Sequence, residues 1–182
     1  MKRLVASAAL FVLFVAGCTS VRLGLDHDGS FDFSRFKTFS FVPEEETERV
    51  GETQENPLMG SRIRTAIDSV LSERGYLQTT PDEADFLVGY HLSIEKKLDV
   101  NTVSAGIGYG GYNRWGSVGF QTRVSQYDEG TIVIDIADGE TERLVWRGSG
   151  SRRIKPIRDP EKTTNLVNRA VSEILAQFPP KK

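Results

Sequence analysis

The sequence predicts a two-layer α+β domain: a mostly antiparallel sheet of about five or six strands with two helices packed on one face. Three observations predict it. Several short segments alternate apolar and polar residues, each bounded by glycine, proline or acidic turn residues. Two longer segments carry apolar residues at three- and four-residue steps behind an Asn-Pro or Asp-Pro start. Each element has one apolar face, and such faces must be buried against one another.

The first eighteen residues stand apart from that domain. Lys2 and Arg3 open the chain, and Leu4 to Val15 is a twelve-residue run without charge. As a helix it would rise about 18 Å, short of the roughly 30 Å hydrocarbon core, so it reads as a secretory signal and not a spanning segment. It ends in Val15-Ala16-Gly17-Cys18, which resembles the bacterial lipobox. That resemblance implies cleavage before Cys18 and acyl chains, palmitate among them, on its sulfur and amine. One chain anchors only marginally, whereas several hold stably. Thr19-Ser20 follows with no Asp beside the cysteine; in Gram-negative lipoproteins this implies the outer membrane, with the protein facing the periplasm. The expected organisation is a signal at 1–17, a lipidated cysteine and tether with a short strand at 18–30, one α+β domain at 31–178 and a tail at 179–182.

Within the mature chain, Val21 to Asp26 alternates Val, Leu and Leu with Arg, Gly and Asp, and Asp28-Gly29 turns it. Phe36 to Val42 is a strand, with Phe36, Thr38 and Ser40 on one side and Lys37, Phe39 and Phe41 on the other. Residues 43–56 are acidic and apolar-poor, which predicts a mobile loop. Asn56-Pro57 then opens a helix whose stripe is Ile63, Ala66, Ile67, Val70 and Leu71, with Gly75 just past its end.

Phe86, Val88, Tyr90, Leu92 and Ile94 form the apolar face of the next strand. Phe120 to Tyr127 is a weaker strand pattern, and Glu129-Gly130 reads as a turn into a separate strand from Thr131 to Ile136. Asp138-Gly139 predicts a hairpin into Glu142–Ser151, with Leu144 and Trp146 facing away from Arg143, Val145 and Arg147. These three strands read as an antiparallel meander. Asp159-Pro160 starts the last helix, with a stripe from Leu166 to Phe178, and Pro179-Pro180 stops it.

Function is less legible. A formal net charge of −2 lacks the basic face that nucleic acid requires. Losing residues 1–17 removes Lys2 and Arg3 and leaves 21 basic against 25 acidic residues, which makes the case no better. Gly106, Gly108 and Gly111 spell G-x-G-x-x-G. A dinucleotide loop needs a helix after it, so that the pyrophosphate meets an N-terminal dipole. Tyr112 to Gly119 is poor in helix formers and leads into a strand, so no nucleotide and no other cofactor is expected. What remains is a 106–119 connection bearing Tyr109, Tyr112 and Trp115. Those aromatics either fold back on the sheet edge or form a partner-binding loop, since Tyr and Trp bring large contact area with few rotors. The scarcity of Lys and Arg there favours an envelope protein partner over lipid headgroups.

His27 and His91 lack ligand spacing, so no metal site is expected, and the lone Cys18 excludes an internal disulfide. Asp82, Glu83 and Asp85 read as a solvated loop edge, and Arg152, Arg153, Lys155 and Arg158 as a basic cluster at a strand end. No nucleophile elbow or metalloprotease motif is present. The expectation is a non-catalytic binding or structural module; the alternative is a hydrolase acting on envelope material through carboxylates assembled by folding.

Three segments carry a family resemblance: Phe31-Asp-Phe-Ser-Arg-Phe-Lys-Thr-Phe-Ser40, Arg62 to Ile67 leading to Glu73-Arg-Gly-Tyr76, and Ala84-Asp-Phe-Leu-Val-Gly-Tyr90. They resemble the DUF4136 lipoproteins over roughly residues 21–178. The resemblance implies an envelope location and an α+β fold, and it supplies no catalytic residues.

Overall fold

Two strands of equal and unusual length organise the molecule. In the computed structural model, which describes residues 21–43, 57–103, 121–155 and 159–180, β4 (Phe86–Val103) and β5 (Gln121–Asp138) pair antiparallel along all eighteen residues of each. Around them stand β1 (Arg22–His27), β2 (Thr38–Phe41), β3 (Leu77–Gln78) and β6 (Leu144–Ile154). The sheet order is β1-β6-β5-β4-β2-β3, antiparallel except that β2 runs parallel to both β3 and β4. Parallel neighbours need a crossover, and α1 (Pro57–Glu73) supplies it between β2 and β3. With α2 (Pro160–Leu175), this is the α+β fold expected, its sheet mostly antiparallel.

Both helices follow their local signals. The Asp159 side chain accepts from the N–H groups of Glu161 and Lys162, satisfying two orphan donors ahead of Pro160. Gly75 has φ +89°, the left-handed value glycine adopts without a Cβ penalty, and Tyr76 N–H returns to Leu71 C=O. The stripes meet the sheet as predicted. Ile63, Ile67 and Leu71 of α1 and Val171, Ile174 and Leu175 of α2 are fully buried with Phe86, Val88, Ile134 and Ile136. Close approach of α2 depends on β6 having glycine beneath it. A β-carbon at Gly148 would lie 2.8 Å from Ile174 Cγ2 and collide with the Trp146 ring.

Two expectations fail. Glu129-Gly130 is not a turn: β5 runs straight through it, with Glu129 opposite Glu95 and Arg153 and Gly130 opposite Ile94 and Arg152. The residues have other reasons to be there. Glu129 is buried and ion-paired to Lys97 and Arg22, while a side chain at Gly130 would press on Ile154 at 3.3 Å. The meander is therefore β4, β5 and β6. Strict alternation also fails in β6. The register shifts where Ile136 faces Trp146 but Ala137 faces Leu144, so Val145 is an extra residue, and Val145 and Trp146 are both buried while Leu144 is exposed. The predicted loop at 43–56 lies outside the described residues from 44 onward.

Candidate functional site: a ribbon and an apolar groove

β6 pairs with β5 only from Asp128 to Ala137, and β2 with β4 only from Phe86 to Val88. Beyond the Lys96–Asp128 pair, β4 and β5 continue as a two-stranded ribbon for seven further pairs, Lys97–Tyr127 to Val103–Gln121. At about 3.4 Å per residue this projects roughly 20–24 Å past the sheet. Because strand side chains alternate, one ribbon face continues the helix-bearing side of the sheet. Leu98 and Val124 lie on it, and Ile94 lies on the same side of β4 just before the ribbon begins, each more than half exposed. A two-stranded hairpin is marginal alone in water, so the contacts at the ribbon's root matter to it.

That root is fixed by charge on the opposite face. Glu129, 5% exposed, receives the Lys97 ammonium and lies 3.7 Å from the Arg22 guanidinium. The hydrogen bond from Lys97 holds the Glu129 carboxyl below its usual range; burial opposes it, and the charges of Lys97 and Arg22 add to the lowering. Arg153, the β6 partner of Glu129, reaches outward along the ribbon: it bonds Asp99 at 2.8 Å and lies 3.7 Å over the Tyr127 ring. Within the predicted basic cluster, Arg153 clamps the ribbon, and Lys155 is exposed just past β6. Arg158 lies outside the described residues.

Where the ribbon leaves the sheet, a cavity of about 260 Å³ opens between sheet and helices. Leu92, Ile94, Ile132 and Ile154 form its floor, with Gly130 and Gly150 between them. Met59, Leu166, Val167 and Ala170 roof it from the two helices, and Asp128, Arg152 and Lys155 also line it. Val21, the first residue before β1, lines it too. Leu166 belongs to the predicted α2 stripe but is only half-buried because it overhangs this groove.

The opposite end of the molecule holds the segments that carried the family resemblance, and there they serve structure. The Asp85 carboxylate accepts from Lys37 N–H at 2.8 Å and Thr38 N–H at 2.9 Å. Burial pushes Asp85 up, but these bonds and the Thr38 hydroxyl outweigh it and the carboxyl is lowered. The solvated edge predicted for Asp82–Asp85 therefore fails at Asp85: its carboxylate joins two strands. Arg35 pairs with the buried Asp138, and Arg74 donates to the carbonyls of Leu175 (2.6 Å) and Phe178 (2.8 Å). Sequence reasoning missed these roles because each joins residues about fifty to a hundred positions apart.

The other predicted sites distribute as follows. Cys18, Tyr109, Tyr112 and Trp115 lie outside the described residues, as does the G-x-G-x-x-G stretch. The ribbon strands end at Val103 and begin again at Gln121, so the 106–119 segment is joined to the ribbon's far end. His27 closes β1, exposed, 6.4 Å from the Phe33 ring, and His91 is half-buried on the open face of β4. The structure does not bring them together; they pair with Trp146 and Val133 on different strands. Among the described residues no three His, Cys, Asp or Glu side chains converge as metal ligands, and no helix is long and apolar enough to cross a membrane.

An open sheet backed by two helices, with a ribbon and groove at one end, defines the class: a small two-layer α+β domain. The chain belongs to the DUF4136 family, a domain of unknown function, whose model matches residues 24–180. A search of curated proteins finds no match. Among solved structures, a PDZ domain protein from Parabacteroides distasonis is similar with a TM-score of 0.54 at 14% identity, over 88% of this chain and 36% of that one. This chain thus spans about a third of that protein's length. The PelC dodecamer from Paraburkholderia phytofirmans is similar with a TM-score of 0.51 at 10% identity, over 90% of this chain and all of that one. At such identities these likenesses establish the fold alone.

Proposed function

We propose that this protein is a lipid-anchored component of the bacterial cell envelope, held in the outer membrane by acyl chains on Cys18 and facing the periplasm. It acts by binding a protein partner, without catalysis. The observation that carries the binding reading is the ribbon, which presents Leu98 and Val124 to solvent well beyond the core and delivers the 106–119 segment at its end. Exposed apolar residues grouped on a projecting element are what contact surfaces use. The lipobox-like Val15-Ala16-Gly17-Cys18 supports the anchor. A similar fold assembles as a dodecamer in PelC, which makes a second copy of this chain one candidate partner.

The hydrolase alternative would need a carboxyl raised toward neutrality to act as an acid. Among the described residues, each shifted carboxyl (Asp28, Asp85, Glu129 and Asp138) is lowered instead, and each is tied to structural partners. That supports the non-catalytic reading.

The test is in-cell photocrosslinking from probes replacing Leu98 and, separately, Tyr112. A discrete crosslinked species of defined mass is expected. No crosslink from either position in folded, processed protein would overturn the contact-surface reading. For the anchor, Cys18→Ser should leave the precursor uncleaved; cleavage and membrane association in that variant would defeat it.

A further inference from the structure

We propose that two copies of this chain associate through the open edge of β4, pairing antiparallel about Leu98 so that their two ribbons become one four-stranded ribbon. The partner so named deepens the contact-surface reading above and rests on it; the anchor plays no part.

The backbone decides which edge is open. Val42 N–H donates to Val88 C=O at 3.1 Å, so the peptide groups of Val88 point away from β5, toward β2. Every second residue of a strand shares that direction, and β4 pairs with β5 without a register shift as far as Val103. The N–H and C=O groups of Leu92, Ile94, Lys96, Leu98, Val100 and Thr102 therefore face the same side. Among the described residues no strand covers that side beyond Val88. An uncovered row of this kind is a template for another strand. Two strands are marginal in water where three or more can stand, so the ribbon itself gains most from the addition.

Charge decides the occupant and the register. Residues 95–99 read Glu-Lys-Lys-Leu-Asp. In a two-fold pairing centred on Leu98, Lys97 of each copy lies opposite Asp99 of the other. These are pairs without hydrogen bonds between them, in which side chains approach most closely. Opposite charges there stabilise and like charges repel. Lys97 already holds Glu129, and Asp99 already holds Arg153. Two rows of alternating charge, Glu129–Lys97–Asp99–Arg153, then cross the junction. The neighbouring registers are worse. Centring on Lys97 sets that lysine against itself and Glu95 against Asp99; centring on Lys96 or Asp99 sets that residue against itself. Centres from Glu95 inward run the second strand into β2 beside Phe86–Val88, and centres beyond Asp99 shorten the ladder. The Leu98 register spans residues 93–103 of each copy and leaves the two sheets at opposite ends. Such a self-complementary contact closes at two copies.

The experiment uses the full chain as purified from cells, with the parent protein, whose lone cysteine is Cys18, as the blank. Oxidised Leu98→Cys should give a disulfide-linked species of twice the chain mass, because the central pair would lie about 5.5 Å apart, Cα to Cα, within disulfide range. Val124→Cys, on the same face but about 14 Å from its counterpart across the four strands, should give about tenfold less. Leu98→Pro removes an N–H that β5 does not use. It should weaken association in sedimentation about thirtyfold, the loss of two backbone hydrogen bonds, while thermal unfolding stays cooperative. Val124→Pro should leave association unchanged, since its N–H points to the ribbon's other edge, as Asp138 N–H points to Arg143 C=O. Equal disulfide yields from positions 98 and 124, a monomer at every concentration, or association indifferent to Leu98→Pro each overturns the proposal. If Leu98→Pro does not fold, the two cysteine variants decide. In cells, a photocrosslink from position 98 to a protein of another mass overturns the dimer and keeps the contact-surface reading; no crosslink of any mass defeats both.

Discussion

The Asp85 carboxylate accepts from Thr38 N–H at 2.9 Å, while the Thr38 hydroxyl accepts from Asp85 N–H at 3.0 Å. This reciprocal pair sits where β2 and β4 start side by side, and Lys37 N–H adds a third bond at 2.8 Å. Parallel strands cannot be closed by a tight turn, so their relative register must be pinned by contacts such as this one. The lysine-threonine-phenylalanine and alanine-aspartate-phenylalanine patches, far apart in the chain, form a single joint.

Asp85→Ala should therefore cost about 2–3 kcal/mol, because hydrogen bonds to an ionised acceptor are worth more than neutral ones and two N–H donors would lose their partner. Urea unfolding measures it. A loss below about 0.5 kcal/mol would mean water replaces the carboxylate without penalty.

Acid should unfold the protein through the same kind of group. Asp138 is 2% exposed. Burial alone would raise its pKa, but hydrogen bonds from the Thr141 hydroxyl (2.6 Å) and the Arg35 guanidinium, with the charge of Arg35, hold it below the usual carboxylate range. A carboxylate depressed in the native state gives its full stabilisation above the unfolded pKa of about 3.9 and loses it as pH falls through the native value. Stability should be level near neutrality on this account and decline below about pH 4. Asp138→Asn should flatten part of that decline. Superimposable acid limbs for the two proteins, from urea midpoints across pH, would remove Asp138 from the explanation.

Gly148→Ala should destabilise by about 1–3 kcal/mol, the usual cost of forcing a methyl group into a packed site. Its β-carbon would collide with Trp146 and come within 2.8 Å of Ile174, so a blue or red shift in tryptophan emission should accompany the lower melting temperature. An unchanged melting temperature would show that α2 can retreat freely.

Arg74→Ala should cost about 2 kcal/mol by stripping the Leu175 and Phe178 carbonyls of a charged donor. Amide exchange in the last turn of α2 should quicken before the rest of the helix. Uniform acceleration along α2 would point to a global effect instead.

Leu98→Asp is the opposite case. Leu98 is 61% exposed on the ribbon, and surface substitutions of this sort usually stay within about 0.5 kcal/mol. Stability should hold while photocrosslinking from position 112 is lost. A cooperative loss of fold would assign Leu98 to the core.

How much of this was legible depends on how local each signal is. The Asp159-Pro160 start, the Gly75 end and the alternation from Phe86 to Ile94 involve neighbours in sequence, so the sequence displays them. Glu129-Gly130 has the composition of a turn, and only its partners overrule that reading: Lys97 and Arg22 take the carboxylate, and Ile154 fills the space a side chain would need. Val145 looked outward by parity until the bulge inserted it into the core. The groove could not be read at all, because Val21, Met59, Ile132 and Leu166 come together only after the helices dock.

The pairing of β1 with β6 has a mechanical consequence. The first strand of the domain is the sheet's outer strand, and its six partners lie in β6, from Trp146 to Ser151, more than a hundred residues later. Tension applied at Arg22 along the axis of β1 would load that strand lengthwise. The six pairs then resist together in shear instead of opening one at a time like a zip. The domain can be tugged at its leading end without its first strand peeling away.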